Sequence, residues 1–199
     1  MLHGRPLAAL AAALALSLGL VPAAFGTVVH VRVEGKTQTL FGSTQPRATA
    51  TNALEALESA SLGGELFYHV ANASFGRYVD QIGRYGASAQ SGWVFKVNGV
   101  SPPVGADQVT LKDGDRVLWY FAQFGVAGGP STLDLSRTAP GCYRATALND
   151  QGVAKVPAGL VFHIGAKTVP APAGRICPKG AHGLVWATAP GSVRSNRLP

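Results

Sequence analysis

The sequence predicts an α+β fold, in which one short helix packs on a mixed sheet and a smaller region made only of strands follows. Val29, Val31 and Val33 alternate with polar residues, which is typical of a strand with one face in water. Apolar residues then recur at helical spacing over residues 52–61, and the remaining chain is divided into short runs by Gly, Pro, Asn and Asp. Helical periodicity is confined to that one segment.

The first 26 residues have the features of a secretory signal. Arg5 precedes the apolar run 7–21, and Ala24-Phe25-Gly26 has the small-x-small form that a signal peptidase cleaves. The run is shorter than the roughly 20 residues that cross a bilayer as a helix. We expect cleavage near Thr27, with an uncleaved anchor as the alternative, and no membrane span after cleavage. The chain is therefore predicted to be secreted or associated with the cell envelope.

Charge is distributed unevenly after the signal. Residues 27–126 contain eight basic and eight acidic side chains, whereas residues 127–199 contain eight basic and two acidic ones, a formal charge of +6. This change in composition predicts two domains, 27–124 and 132–199, joined by a linker at 125–131.

The basic second domain is a candidate surface for anionic envelope polymers or lipid headgroups, although solubility alone would also explain its charge. Six basic residues carry this prediction: Lys155, Lys167, Arg175, Lys179, Arg194 and Arg197. Nucleic acid is not expected as a partner, because these charges are spaced apart and no groove-reading motif accompanies them. The oligomeric state, and whether the two domains touch, stay open.

The predicted helix has recognisable ends. Residues 36–41 form the hairpin partner of the first strand, after which the period changes. Asn52 can cap the helix, and Glu55 stands three residues later as the second member of a capping box. Gly63-Gly64 is expected to end the helix.

Strands resume after the helix, in aromatic and β-branched runs at 66–70, 75–82, 93–97, 107–111 and 116–121. Asn98-Gly99 is a strong hairpin signal, because both residues tolerate positive φ, and Pro102-Pro103 interrupts the partner strand. The run 117–121 lacks polar alternation, so we expect it at the centre of a sheet with both faces covered. This order of elements outlines a β-grasp-like domain.

Several of these motifs together resemble the transcobalamin-like C-terminal domain family. They are Gly92-Trp93 with Phe95, Val97-Asn98-Gly99, the Pro-Pro-Val-Gly-Ala run from Pro102, and Lys-Asp-Gly-Asp before an aromatic strand. The resemblance covers about residues 28–124 and implies a small β domain of the kind found in transcobalamin, intrinsic factor and bacterial surface proteins. In those carriers the domain is similar to a lid over cobalamin, which a large helical barrel holds. No segment here predicts such a barrel, so cobalamin is only an implied ligand, and no cofactor is expected.

The second domain shows the turn rhythm of a sandwich, with strand-like runs at 132–135, 142–148, 160–164 and 183–188. It resembles the immunoglobulin-like and carboxypeptidase-regulatory-like modules of bacterial surface proteins. Cys142 and Cys177 both fall in this region. We predict a disulfide between them, because exported proteins meet an oxidising compartment and neither CxxC nor a histidine cluster indicates a metal pair.

Signatures of catalysis are missing from the sequence. Gly35-Lys36-Thr37 lacks the earlier glycine of a phosphate loop, and neither Gly-x-Ser-x-Gly nor Ser-x-x-Lys occurs. The histidines are scattered without metal-ligand spacing, and Asp113-Gly114-Asp115 is interpreted as a turn rather than a calcium loop. We expect no enzyme and no metal site. An accessory enzyme or enzyme inhibitor, with a site invisible in linear sequence, is the alternative.

Aromatic residues are the main indication of function. The first domain contains too many of them for one sheet face, and one interpretation assigns Trp93, Phe95, Trp119 and Phe121 to the core beneath the helix. The other places Tyr85, Tyr120 and Trp93 on an exposed face, where flat rings can stack on a ligand. Arg77 and Arg84 could add cation–π or anionic contacts there. The sequence thus predicts a non-catalytic binding or adhesion module for a small molecule or an envelope polymer.

Overall fold

The computed structural model describes residues 26–74, 76–125, 129–180 and 183–199. The predicted signal, apart from Gly26, and residues 126–128 of the predicted linker lie outside these residues. Strands make up 51% and one helix 7% of the described chain. The predicted α+β class is therefore wrong, and the fold is mostly β, with several small sheets. Additional short strands, such as residues 47–50 and 167–170, lie in segments for which no strand was predicted.

The first half of the described chain, residues 26–125, contains a five-stranded sheet and a three-stranded one. The larger has the order β2-β1-β8-β7, with β3 also paired to β1, and the smaller has the order β4-β5-β6. Strands β1 and β8 are parallel, and the other pairings are antiparallel. The bounds are β1 Thr27–Glu34, β2 Thr39–Phe41, β3 Arg47–Ala50, β4 Tyr68–Ala73, β5 Gly76–Ile82, β6 Tyr85–Gly86, β7 Ser91–Val97 and β8 Arg116–Gln123.

The helix α1, Ala53–Gly64, is capped at both ends. The Asn52 side chain accepts a hydrogen bond from the Glu55 backbone N–H, as the sequence predicts, and the Glu55 carboxylate accepts one from the Thr51 backbone N–H at 2.7 Å. Both predicted glycines are helical, and the chain leaves the helix at Glu65, in the left-handed region at φ 52°. The buried helix residues share one cluster with the β1 valines: Ala53, Ala56, Leu57 and Ala60.

The run after the helix contains one prediction that is wrong. Residues 107–111 form no strand but a turn, and Thr110 makes only an isolated bridge to Asn52. The Leu54 backbone N–H donates to the Ala106 carbonyl at 3.2 Å, and that of Leu111 donates to the Thr51 carbonyl at 2.9 Å. These bonds attach the segment to the N-terminus of the helix, and the segment forms a loop beside the sheet.

Strand β8 lies inside its sheet, between β1 and β7, with both faces covered, as its unbroken apolar run predicts. Val117 and Trp119 point into the cluster beneath the helix. Leu118, Tyr120 and Ala122 point the other way, and with Val193 they form a separate buried cluster. Val193 belongs to the second half of the chain, so that half covers the other face of the sheet.

The second half of the described chain, which begins at residue 129, contains two sheets with a common core. One has the order β11-β10-β9-β16, with β14 also paired to β10, and the other has the order β13-β12-β15. Both sheets contribute to one buried cluster, which includes Leu133, Ala145, Phe162 and Val185. The bounds are β9 Ser131–Ala139, β10 Cys142–Leu148, β11 Ala154–Lys155, β12 Val161–Ile164, β13 Lys167–Pro170, β14 Arg175–Ile176, β15 Val185–Thr188 and β16 Ser192–Val193.

The predicted disulfide is confirmed: Cys142 at the start of β10 is bonded to Cys177 just after β14. Because β14 pairs with β10, the bond closes a loop whose ends already lie side by side. The disulfide is compatible with an extracellular location. In the described part of the chain, no helix has the length and apolarity to span a bilayer.

A buried network of charges joins the two halves. Glu34, which is 0% exposed, accepts hydrogen bonds from Arg194 Nε at 3.0 Å and Nη2 at 2.8 Å, and Arg32 Nη1 lies 3.3 Å from its other carboxylate oxygen. Burial lowers the pKa of Arg32. The alternation in β1 predicted that Arg32 and Glu34 would face water, and this is wrong because the second half covers that face.

A second set of contacts lies around Lys96, whose side chain is fully buried. Its Nζ donates to the carbonyls of Leu148 and Asn149, at 3.0 and 2.8 Å, and lies 3.5 Å from Asp150 Oδ1. Burial lowers the pKa of this amine. Lys96 comes from β7. These three partners lie at or just after the end of β10, and a fourth, the Thr132 hydroxyl of β9, accepts from Nζ at 3.4 Å, so the amine links the two halves directly.

Candidate functional site

A cleft of about 420 Å³ opens between β5, β7 and the loop 103–108. We call it the aromatic cleft, because four aromatic residues line it: Tyr78 from β5, Trp93 and Phe95 from β7, and Trp119 from β8. The apolar part of the lining also includes Leu54 of the helix, Val70 of β4 and Val104 of the loop. Its volume falls within the range of about 300 to 1,000 Å³ that is usual for small-molecule sites.

The register of two paired strands places three of these rings together. Trp93 and Phe95 are two residues apart in β7 and therefore share one face of the sheet. Phe95 lies opposite Trp119 of β8, with ring centroids 5.1 Å apart and a tilt of 31°. This edge of the sheet is consequently covered by ring surfaces.

Internal hydrogen bonds satisfy both indole N–H groups at the cleft. Trp119 Nε1 donates to the Ala53 carbonyl at 3.0 Å, and Trp93 Nε1 donates to the Tyr85 carbonyl at 2.7 Å. Both bonds fix the orientation of the rings. What the two indoles offer to the cleft is therefore apolar surface and not a hydrogen-bond donor.

Two oppositely charged side chains also line the cleft. Arg77 lies on β5, two residues before the buried Val79 and thus on the same strand face, and Asp107 lies on the loop. Among the described residues, neither Arg77 nor Asp107 takes part in an ion pair or a hydrogen bond of its side chain. The cleft thus contains one cation and one anion that form no ion pair, although Arg77 is close enough to Tyr68 to act on its hydroxyl electrostatically.

Of the residues predicted to bind a ligand, Arg77 and Trp93 both line the aromatic cleft. Tyr85 packs beside it, with its ring centroid 6.5 Å from that of Trp93. The Tyr85 hydroxyl is bonded to Thr37 at 3.0 Å and to Arg84 at 3.1 Å, and these bonds lower its pKa. The Arg84 guanidinium also lies over the Tyr85 ring, 5.2 Å from its centroid, so this pair stands outside the cleft.

Tyr120 is not on an exposed face, and that prediction is wrong. Its ring is 2% exposed, in the cluster between the two halves, and Lys96 Nζ lies 5.9 Å from the ring centroid. Burial raises the pKa of its hydroxyl well above the ordinary value. Tyr120 alternates with Trp119 and Phe121 along β8, so it points to the sheet face opposite the aromatic cleft.

The loop part of the site was not predicted from the sequence. Val104, Asp107 and Gln108 line the aromatic cleft, yet the strand predicted over 107–111 gave no reason to group them with aromatic residues of β7. The available signal was Pro102-Pro103, since a strand partner that lacks N–H donors cannot continue along β7. The chain therefore leaves the sheet edge and forms one wall of the cleft.

The basic surface predicted for the second half is only partly available. Lys155, Lys167, Arg175 and Lys179 are exposed. Arg194 is bound to the buried Glu34, and Arg197 lies over the Trp186 ring, 5.2 Å from its centroid. Two of the six basic residues predicted to form this surface, Arg194 and Arg197, therefore already contact other residues of the chain.

Potential metal ligands do not gather in the described chain, where no group of three or more His, Cys, Asp or Glu side chains could hold an ion. His69 pairs with Asp80, at 2.7 Å between Nδ1 and Oδ1. His163 stacks on Trp186 at a centroid distance of 3.8 Å, and burial, with help from the nearby Arg197, lowers its pKa.

One family model matches part of the chain. Residues 49–123 match the model of a domain of unknown function, DUF4430. This segment contains α1, strands β4 to β8 and the whole lining of the aromatic cleft. The predicted transcobalamin-like membership is not confirmed, and the finding supports only a small β-rich domain.

No curated protein matches the chain. Among the solved structures that are similar to it is a provisionally assigned metal binding protein from Ruminococcus gnavus ATCC 29149. The two sequences are 19% identical, the match covers 49% of this chain and 97% of the other, and the TM-score is 0.36.

Proposed function

We propose that the protein is an exported, non-catalytic binding module that takes a flat apolar group into the aromatic cleft. The observation that carries the proposal is the cleft itself, in which the aromatic residues Trp93, Phe95 and Trp119 of two paired strands line one cavity of about 420 Å³. Ring surfaces favour ligands that stack on them, such as aromatic rings or the apolar faces of sugars. Export is part of the proposal because the disulfide is compatible with an extracellular location.

The rim of the cleft supports binding rather than simple core packing. Val104, which lines the cleft from the loop, is 45% exposed, so apolar surface continues from the interior to solvent. Trp119, in contrast, is 2% exposed and forms the floor. A graded apolar surface of this kind can desolvate one face of a ligand while the ligand's polar edge stays in water.

The resemblance to the transcobalamin-like domain adds a specific candidate to this proposal. Cobalamin has a flat corrin ring, and the carriers that share the resemblance hold such a ring beneath a small β domain. Cobalamin therefore belongs in the first set of ligands to be tested, beside simple aromatic compounds. An absorption titration would detect it through a change in the corrin spectrum.

A rim substitution tests the proposal with indole as the probe. Val104→Arg would place a long charged side chain at the cleft, and Val153→Arg makes the same change at an exposed position, 63% accessible, that does not line the cleft. We expect saturation-transfer NMR to detect indole binding to the native protein and the Val153→Arg control, and Val104→Arg to weaken it. Equal binding by both variants, or no binding by the native protein to indole or cobalamin, would contradict the proposal.

A further inference from the structure

The charges in the aromatic cleft indicate what kind of flat ligand it takes. Arg77 and Asp107 line the same cavity from two different elements, β5 and the loop 103–108. In the part of the chain that the structure describes, no side chain neutralises either charge within ion-pair distance. A ligand group of opposite charge could therefore pair with either side chain without breaking an internal ion pair.

The other charges nearby differ in this respect. Glu55 accepts hydrogen bonds from Thr51 and Asn52, and Arg84 is held by the Tyr85 ring and hydroxyl. Asp150, at the opposite face of the sheet, lies near Lys96. Arg77 and Asp107 differ from these groups, because each lines the aromatic cleft and neither forms an ion pair within the described chain.

We propose that the aromatic cleft binds a free α-amino acid with an aromatic side chain. This inference rests on the proposed function, since the ring must stack on the cleft. The carboxylate of the ligand would pair with Arg77, whose planar guanidinium suits a carboxylate, and its ammonium would pair with Asp107. These two side chains, which form no ion pair within the described chain, thus match the two charges that every free amino acid has next to its side chain.

The two ends of a peptide must be distinguished from a free amino acid as ligands. The amino end of a peptide supplies the ammonium without the adjacent carboxylate, and the carboxyl end supplies the carboxylate without the ammonium. A series of tryptophan derivatives imitates these cases: tryptophan has both charges, tryptophanamide has only the cation, N-acetyltryptophan has only the anion, and N-acetyltryptophanamide has neither. The indole ring is constant throughout.

Calorimetric titration of the native protein with this series tests the inference. We expect tryptophan to bind tightest, each single-charge derivative to bind about fivefold more weakly, and the neutral one to bind weakest, since exposed ion pairs contribute modestly. Raising the salt concentration should reduce the differences, because solvent-exposed charges are screened.

Matched variants assign each charge. Arg77→Gln should weaken tryptophan and N-acetyltryptophan about fivefold and leave tryptophanamide unchanged, and Asp107→Asn should show the mirror pattern. Arg84→Gln, an exposed arginine outside the cleft, is the control and should change none of them. Circular dichroism would confirm that each variant folds.

The outcomes separate the inference from the proposed function. Equal affinity for all four derivatives would overturn the amino-acid ligand while leaving the flat-group site intact. Preference for either single-charge derivative over tryptophan would overturn it in favour of a peptide end. If neither the series nor indole binds, both proposals fail.

Discussion

Replacement of Lys96 by methionine should destabilise the protein strongly, although it retains the apolar stem of the side chain. In the native protein the buried amine donates to the Leu148 and Asn149 carbonyls, at 3.0 and 2.8 Å. Methionine would leave both carbonyls without this donor. Hydrogen bonds to a charged group contribute about 1.5–3 kcal/mol each, so the gross loss is about 3–6 kcal/mol.

The desolvation of the amine offsets part of this loss. Burial lowers the pKa of Lys96, which means that the fold holds the charged form at a cost, and methionine removes that cost. We therefore expect a net decrease of about 3 kcal/mol in the free energy of unfolding. For a chain of this size this corresponds to a fall in Tm of roughly 6–12 °C.

Urea denaturation followed by fluorescence would measure the change. Lys112→Met is the matched control, because Lys112 is exposed and its side chain makes no hydrogen bond or ion pair within the described chain. The control should stay within about 0.5 kcal/mol of the native protein. If Lys96→Met were no less stable than Lys112→Met, the buried amine would not stabilise the contact between the two halves.

Three further perturbations test other parts of the fold. Replacing both cysteines by alanine should lower stability by about 4 kcal/mol, given the separation of 35 residues between Cys142 and Cys177, and an unchanged urea midpoint would contradict this. Glu34→Gln should cost about 3 kcal/mol, because it leaves Arg32 and Arg194 without their shared carboxylate, whereas Glu65→Gln at an exposed position should cost little in the same assay. Folding lowers the pKa of His163, so as the pH falls the unfolded chain binds a proton at this residue before the folded chain does. The free energy of unfolding should therefore decrease as the pH drops below about 6.5. Urea midpoints at pH 7.5 and 5 should differ less for His163→Gln, and an equal difference would exclude this histidine as the cause.

Local signals in the sequence predicted local structure well. Asn98 and Gly99 have positive φ, 52° and 85°, in the turn after β7, and the Asn98 side chain also accepts from the Arg116 backbone N–H at 3.0 Å. Asn52 caps the helix as predicted. Each of these features depends on a few neighbouring residues, so the sequence contains all the information needed to place it.

The surfaces between elements were not predictable in the same way. Alternation along β1 correctly separates an apolar from a polar face, but it cannot reveal that a second set of sheets covers the polar one. Arg32 and Glu34 have the pattern of solvent-facing residues and are 2% and 0% exposed. Burial of such charges is possible only because Arg194, about 160 residues away, completes the network.

The aromatic cleft illustrates the same limit. The crowding of aromatic residues was visible in the sequence, and two of the five predicted ligand-binding residues, Arg77 and Trp93, line the cavity. Asp107 was missed because its position depends on how the chain leaves the sheet edge after Pro102-Pro103. Which aromatic residues line a cavity and which fill an interface is decided by the register between β7 and β8.

Within the single strand β7, the alternation of side chains separates residues that line the cleft from residues that contact the second half of the chain. Trp93 and Phe95 point to the aromatic cleft, while Val94 and Lys96 point to the second half of the chain. Lys96→Met should therefore lower stability and leave the affinity for indole unchanged, when measured in the absence of denaturant on folded protein. Phe95→Ala, in contrast, should weaken indole binding, because it removes a ring that lines the cleft. A parallel loss of indole affinity in Lys96→Met would mean that the two faces are coupled, and that the second half helps to shape the cleft.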